Sequence, residues 1–62
     1  MGRIEIAEVR SKKQARRLVE YLISRIRPLF IDYLNEDTWI IDGKRLKIEK
    51  INKFRYKIVE ES

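Results

Sequence analysis

The sequence predicts an α+β protein in which one long helix packs on one face of a mostly antiparallel sheet of three or four strands. Three patterns predict this class: an alternating segment near the amino terminus, a run with helical spacing, and an Asp-Gly dipeptide followed by two alternating segments. They give the order β-α-β-β-β along 62 residues. Because there is no repeat and no linker, we expect residues 1–62 to form a single small basic domain.

The first strand is predicted over residues 3–9, where apolar and polar side chains alternate. In a strand, alternate side chains point to opposite faces of the sheet. We therefore expect Ile4 and Ile6 to face the core.

The helix is predicted to begin after Ser11, because Ser11 followed by Gln14 is a capping-box pattern. Apolar residues then recur with helical spacing at positions 15, 18, 19, 22, 23, 26, 29, 30, 33 and 34. Pro28 interrupts this run, since it has no N–H to donate and its ring crowds the preceding turn. We expect one long helix that reaches Leu34 and is kinked or broken near Arg27.

Two hairpins complete the predicted sheet. The dipeptide Asp42-Gly43 is a strong signal for a type I′ turn, and a two-residue turn there places Trp39 opposite Leu46. For the second hairpin we predict a three-residue loop over residues 51–53, because a two-residue turn at Asn52-Lys53 would put apolar side chains on the wrong face.

This register makes one face of the sheet apolar and the other basic. It pairs Lys50 with Phe54 and places Trp39, Phe54 and Tyr56 on the core face, where bases could not stack on them. On the open face it pairs Glu49 with Arg55, and it sets Lys47 directly opposite Lys57. Such a like-charge pair is destabilising unless an anion covers it.

Composition excludes several classes of function. The chain has 15 Lys and Arg residues against 10 Asp and Glu, and it has no His and no Cys. The usual zinc sites, haem ligation through either residue, and Ser-His-Asp or Cys-His nucleophile arrangements are thereby excluded. We expect a protein that is not an enzyme, with no catalytic residues, no cofactor and no small-molecule substrate.

The sequence also bears on location and stability. It contains no apolar run of 18 residues, and its first residues lack the apolar core of a signal peptide. We therefore expect a cytoplasmic protein that does not bind membranes. Charged residues make up 40% of the chain and Ile occurs ten times, a composition typical of thermophile proteins.

Four carboxylates lie between Pro28 and Lys44 with no basic residue among them: Asp32, Glu36, Asp37 and Asp42. One interpretation is a site for a divalent cation. The other is turn chemistry, since Asp-Gly turns and polar loops favour these residues. We favour turn chemistry and predict no metal site, because no basic or nucleophilic partner with a catalytic task is nearby.

A cluster of five cations surrounds the predicted start of the helix, formed by Arg10, Lys12, Lys13, Arg16 and Arg17. The helix dipole favours acidic side chains there, yet no carboxylate follows before Glu20. A break of a local rule points to function, and cations beside free N–H groups favour a phosphate. The alternative is a solvated helix end that Glu5 or Glu8 partly neutralises.

The open face of the sheet offers a second basic surface, formed by Lys47, Arg55 and Lys57. These residues are candidates for nucleic-acid contact. They can instead serve to block edge-to-edge association of strands, and we regard that role as the stronger interpretation.

The predicted end of the helix is apolar almost all round, with Leu29, Phe30, Ile31, Tyr33 and Leu34. Ile31 lies about 160° from Ala15 on a helical wheel, so it points away from the core. Burial against a second copy of the chain would explain it, and twofold dimers are the commonest oligomers. We therefore expect a homo-oligomer.

Two functions follow from these surfaces. The first is a small nucleic-acid-binding protein that contacts the phosphate backbone of DNA or RNA with low sequence specificity. The second is a protein-interaction or assembly subunit, a homodimer or an accessory subunit of a larger complex, that works through its apolar surface. We favour the first, because the cations at the helix start are dense and oppose the dipole.

Overall fold

The computed structural model describes residues 2–61, and six elements follow one another in the order β-α-β-β-β-β. They are β1 (Arg3–Val9), α1 (Lys12–Ile26), β2 (Ile31–Asn35), β3 (Thr38–Ile41), β4 (Lys44–Asn52) and β5 (Arg55–Glu61). All strand pairs are antiparallel, and the sheet order is β1-β5-β4-β3-β2. The α+β class is confirmed, whereas the sheet has five strands instead of three or four.

Helix α1 begins where the capping pattern predicts and ends at Ile26 instead of Leu34. At its start, the backbone N–H of Gln14 donates to Oγ of Ser11 over 3.1 Å. At its end, Arg27 adopts a left-handed conformation with φ 52° and donates its N–H to the carbonyl of Ile23. Pro28 therefore follows the helix, and the predicted kink is not confirmed. No helix within residues 2–61 has the length and apolar content needed to cross a membrane.

The segment predicted as the last turns of the helix is strand β2. Ile31 pairs with Ile41, and Tyr33 pairs with Trp39. The left-handed cap followed by proline prevents the helix from continuing. Beyond the proline, Phe30, Ile31 and Tyr33 are aromatic or β-branched, which suits a strand, and over so short an apolar run spacing alone does not tell a helix from a strand.

The turn between β3 and β4 has the predicted form. Asp42 and Gly43 both have positive φ, at 49° and 85°, as a type I′ turn requires. Trp39 lies opposite Leu46, as predicted.

The register of β4 against β5 differs from the prediction by two residues. Ile48 lies opposite Ile58 and Lys50 lies opposite Tyr56, with an irregularity between Lys50 and Asn52. Because side chains alternate, a shift of two keeps every residue on its predicted face. The predicted loop over residues 51–53 is wrong, however, and Phe54 lies in the turn between β4 and β5.

The core lies between α1 and the strands β5, β1 and β4. Its buried members are Ala15, Val19, Trp39, Ile41, Leu46, Ile48 and Ile58. Ala15 and Val19 are on the face of α1 that the helical spacing predicts to be apolar. They are fully buried, and no charged side chain is buried with them in the described residues.

The first strand has its predicted bounds, and Ile6 lines a depression with Leu22 and Ile23 of α1, but its two isoleucines are not buried. Ile4 and Ile6 remain 58% and 39% exposed. The register of β1 shifts between Glu5 and Ala7, and after this bulge Ala7 and Val9 pack against the core. The extra residue of a bulge interrupts the alternation on which the prediction depended.

Candidate nucleic-acid interface

The positive charge of the protein is concentrated in one segment. Residues 10–27 carry seven basic side chains and one acidic side chain, which gives a net charge of +6. The rest of the chain carries eight basic and nine acidic side chains. The net charge of +5 is therefore a property of the helical segment and not of the sheet.

Most of the cations at the start of α1 have no acidic partner. Arg10, Lys13, Arg16 and Arg17 form no ion pair with any carboxylate in residues 2–61. The guanidinium of Arg16 donates instead to the hydroxyl of Tyr33 over 3.1 Å. These four residues, called the helix cations below, are free to meet an external anion.

Lys12, the fifth cation predicted at this position, has a different environment. Its Nζ lies 3.1 Å from Oδ1 of Asp37 and 3.5 Å from Oε2 of Glu36, in the turn between β2 and β3. Contact with Asp37 is the main cause that raises the pKa of Lys12 above its usual 10.5. Lys12 therefore ties α1 to this turn, and unlike the helix cations it is paired with carboxylates.

The cations on the outer face of the sheet surround a carboxylate. Glu49 forms ion pairs with Arg3, with Lys47 at 3.4 Å and with Lys57 at 3.7 Å. Desolvation acts to raise the pKa of Glu49, but hydrogen bonds from Arg3 and Lys47 outweigh it, so this pKa is lowered from 4.5. We call this group of four side chains the Glu49 cluster.

The pairing expected on this face is wrong because of the register shift. Lys47 lies opposite Val59, and Glu49 lies opposite Lys57. The like-charge pair that would have favoured a bound anion is therefore absent from the outer face. Its cations share acidic neighbours, which leaves less attraction for a polyanion than unpaired cations would provide.

A depression that the sequence did not predict lies beside the start of α1. Phe54, expected in the core, is 73% exposed. With Arg10 and Arg55 it lines a depression of about 420 Å³, whose other lining residues are Glu8 and Val9. Arg55 is held there by an ion pair with Glu8 at 2.8 Å.

A local signal for the position of Phe54 exists in the sequence. The N–H of Phe54 donates to Oδ1 of Asn52 over 2.8 Å, which is the hydrogen bond of an Asx turn. Asparagine two residues before Phe54 thus indicates a turn over residues 52–54. This Asx-turn signal places Phe54 in the turn and not in the strand that follows it.

A second exposed aromatic ring lies on α1 itself. The Arg25 guanidinium carbon is 5.8 Å from the centre of the Tyr21 ring, and Arg25 also donates to the Tyr21 hydroxyl over 3.1 Å. Arg17, Tyr21 and Arg25 are spaced by four residues and so form a row along the helix. One face of the Tyr21 ring is already occupied by the cation of its neighbour.

The residues predicted as an oligomer interface are all exposed, although not at the end of a helix. Leu29 and Phe30 are 86% and 76% exposed in the loop before β2, and Ile31, Tyr33 and Leu34 are about half exposed within it. The body of α1 lies over β5, β1 and β4. This apolar surface exists because the helix stops short of β2.

Three of the four acidic residues between Pro28 and Lys44 have structural partners. The carboxylate of Asp42 accepts hydrogen bonds from the N–H groups of Leu29, at 3.3 Å, and Phe30, at 2.8 Å. Glu36 and Asp37 pair with Lys12. Within residues 2–61, no group of three or more acidic side chains is placed to hold a metal ion.

Comparison with protein-family models, with curated proteins and with solved structures finds no match for this chain.

Proposed function

We propose that this protein binds nucleic acid through the helix cations, contacting the phosphate backbone with low sequence specificity. The observation that carries the proposal is that these cations have no carboxylate partner within residues 2–61, whereas the Glu49 cluster is internally paired. Lysine and arginine that neutralise phosphates release condensed counterions, which drives binding without regard to sequence.

The extent of the basic surface supports a polymeric ligand over a small anion. Lys13 and Arg25 are twelve residues apart on α1, which corresponds to about 18 Å along the helix axis. A single phosphate can meet one or two of these side chains at a time. A strand with a phosphate every 3.4 Å or so can meet several along its length.

The test is a fluorescence-anisotropy titration with labelled duplex DNA, an RNA hairpin and a single strand, each at 50 and 200 mM salt. The double variant Arg16→Glu/Arg17→Glu should lose at least tenfold in affinity, because two phosphate contacts become repulsive. The affinity of the original protein should also fall steeply with salt.

A matched control keeps the change in net charge and moves it to the sheet. Lys44 and Lys50 are exposed on β4 and form no ion pair within residues 2–61. The variant Lys44→Glu/Lys50→Glu should change affinity less than threefold. Equal losses in both variants would show that net charge alone drives binding, and no binding at 50 mM salt would exclude the proposal.

A second candidate function is assembly through the apolar surface of Leu29, Phe30, Ile31, Tyr33 and Leu34. The favouring observation is their shared exposure in a chain too small to bury a large core. Light scattering of the original protein should then give a dimeric mass, and Ile31→Lys should give a monomeric one. A monomeric mass for the original protein would exclude self-association, and the search would turn to other protein partners.

A further inference from the structure

We infer that the depression lined by Phe54, Arg10 and Arg55 is a stacking site for an unpaired nucleotide, so that this protein prefers single-stranded to double-stranded nucleic acid. The inference rests on the proposed function and names its substrate class. It starts from an aromatic ring that the sequence places in the core and that is 73% exposed in the structure.

Phe54 occupies a position that normally takes polar residues. It is the second residue of the two-residue turn between β4 and β5, where Gly, Asn, Asp and Ser are typical. The Asx-turn hydrogen bond from its N–H to Asn52 fixes the turn, and the ring is left largely in solvent. A large apolar side chain held outward by a fixed turn is placed to contact something outside the chain.

The side chains around the ring carry a net positive charge, because Arg10 and Arg55 outnumber Glu8. Arg10 and Arg55 line the same depression, and Arg10 has no acidic partner within residues 2–61. The ion pair with Glu8 holds the Arg55 side chain in place. Proteins that bind single strands combine cations that follow the backbone with aromatic rings on which bases stack. The volume, about 420 Å³, lies within the range of sites for small organic groups.

The depression is continuous with the basic surface of α1 through Arg10, which belongs to both. Arg10 lies immediately before the N-cap Ser11, and its N–H donates to Oε1 of Gln14 in the first turn. A strand whose phosphates follow the helix cations can therefore place one base on Phe54. In a duplex the bases are stacked inside the double helix, so an aromatic ring reaches them only if a base is flipped out.

Tyr21 provides an internal comparison. It is also exposed and aromatic and also lies among arginines, but Arg25 covers its ring and binds its hydroxyl. Phe54 has no such cover among the described residues. Stacking should therefore depend on Phe54 and hardly on Tyr21.

The test compares a 12-nucleotide single strand with the corresponding 12-base-pair duplex at 50 mM salt. Phe54→Ala should lower affinity for the single strand about tenfold, since stacking contributes that much per base, and should leave duplex affinity within twofold. Tyr21→Ala should change neither affinity more than threefold. Because the Phe54 ring is largely exposed, its removal should leave the thermal unfolding midpoint nearly unchanged, which circular dichroism checks.

A second variant supplies a signal that a structural role would not give. Phe54→Trp should keep single-strand affinity, and its fluorescence should be quenched by the single strand and not by the duplex, above a constant background from buried Trp39. Unchanged single-strand affinity in Phe54→Ala, or equal losses for both ligands, would overturn the inference. If the Phe54→Ala variant gives one of these results while Arg16→Glu/Arg17→Glu loses binding, the stacking site is excluded and the proposed function remains intact. If the original protein binds neither ligand, both fail.

Discussion

The helix and the outer face of the sheet are both rich in basic residues, but they use them differently. On the sheet, Arg3, Lys47 and Lys57 surround Glu49. At the start of α1, the helix cations form no ion pair within residues 2–61. The start of the helix and the outer face of the sheet therefore differ in the pairing of their basic residues with carboxylates, and not in the number of those residues.

The two faces of the sheet are also covered in different ways, one by α1 and the other by charged side chains. Ile58 and Val59 are neighbours on β5, and both are fully buried. Ile58 packs in the core beneath α1 with Ala15 and Val19. Val59 faces the other way, between Glu5 and Lys47, so its cover consists of charged side chains. Their aliphatic stems can bury apolar surface while the charged ends remain in water.

The largest expected effect is on the free energy of unfolding, when the side chain buried beneath α1 and the side chain buried beneath the charged residues are truncated in turn. Ile58→Ala should lower the free energy of unfolding by about 3 kcal/mol, because removing a core isoleucine leaves a cavity beneath a helix. Val59→Ala should cost about 1 kcal/mol, since it removes fewer atoms and flexible charged side chains can close over the gap. Urea unfolding followed by circular dichroism measures both.

A loss at Val59 as large as that at Ile58 would contradict this difference. It would mean that the charged layer packs as rigidly as the helix. The structural role of the outer face would then be stronger than its ion pairs alone suggest.

A smaller effect is expected from the carboxylate that holds the outer cations. The pKa of Glu49 is lowered in the folded state, so its ionised form stabilises the fold above about pH 4.5, and this contribution is lost as the pH falls through the lowered value. Glu49→Gln should therefore lower the free energy of unfolding at pH 7 by about 1 kcal/mol or less, since exposed ion pairs contribute little. As the pH falls through the lowered pKa of Glu49, the stabilities of the variant and the original protein should converge.

The same variant tests whether the ion pairs of Glu49 limit the affinity of the outer face for nucleic acid. Glu49→Gln leaves Lys47 and Lys57 without the carboxylate they share, so affinity for a single strand at 50 mM salt should rise about twofold to threefold. Glu61→Gln is the matched control, because it removes an equal charge next to Arg3 and Arg45 and leaves Lys47 and Lys57 paired. An unchanged affinity in Glu49→Gln would show that the location of the outer face, and not the pairing of its cations, keeps this face from binding nucleic acid.

The sequence predicts local features of this molecule better than long-range ones. The strand at residues 3–9, the cap at Ser11 and the type I′ turn at Asp42-Gly43 are all found, because each depends on a few adjacent residues. The end of the helix was missed, since it depends on a left-handed Arg27, a conformation that glycine usually provides.

The limits of the site prediction have the same origin. The helix cations lie together because three of them share the first two turns of α1 and Arg10 lies immediately before its N-cap, so adjacency in sequence was enough. Which acid neutralises Lys47 or Lys57 depends on the register of β4 and β5, and an error of two residues changes every partner while keeping every face. Phe54 was placed in the core by the same error.

The smallest expected effect separates stability from function within α1. Lys13 is in the first turn, where the helix dipole disfavours a cation. Lys13→Glu should raise the free energy of unfolding by about 0.5 kcal/mol and the thermal midpoint by ~2–4 °C, and it should weaken nucleic-acid binding. Lys50→Glu makes the same change in charge on β4 and should do neither. A stabilised variant that binds as tightly as the original protein would remove Lys13 from the interface, whereas a destabilised one would show that the cations at this helix start are part of the fold itself.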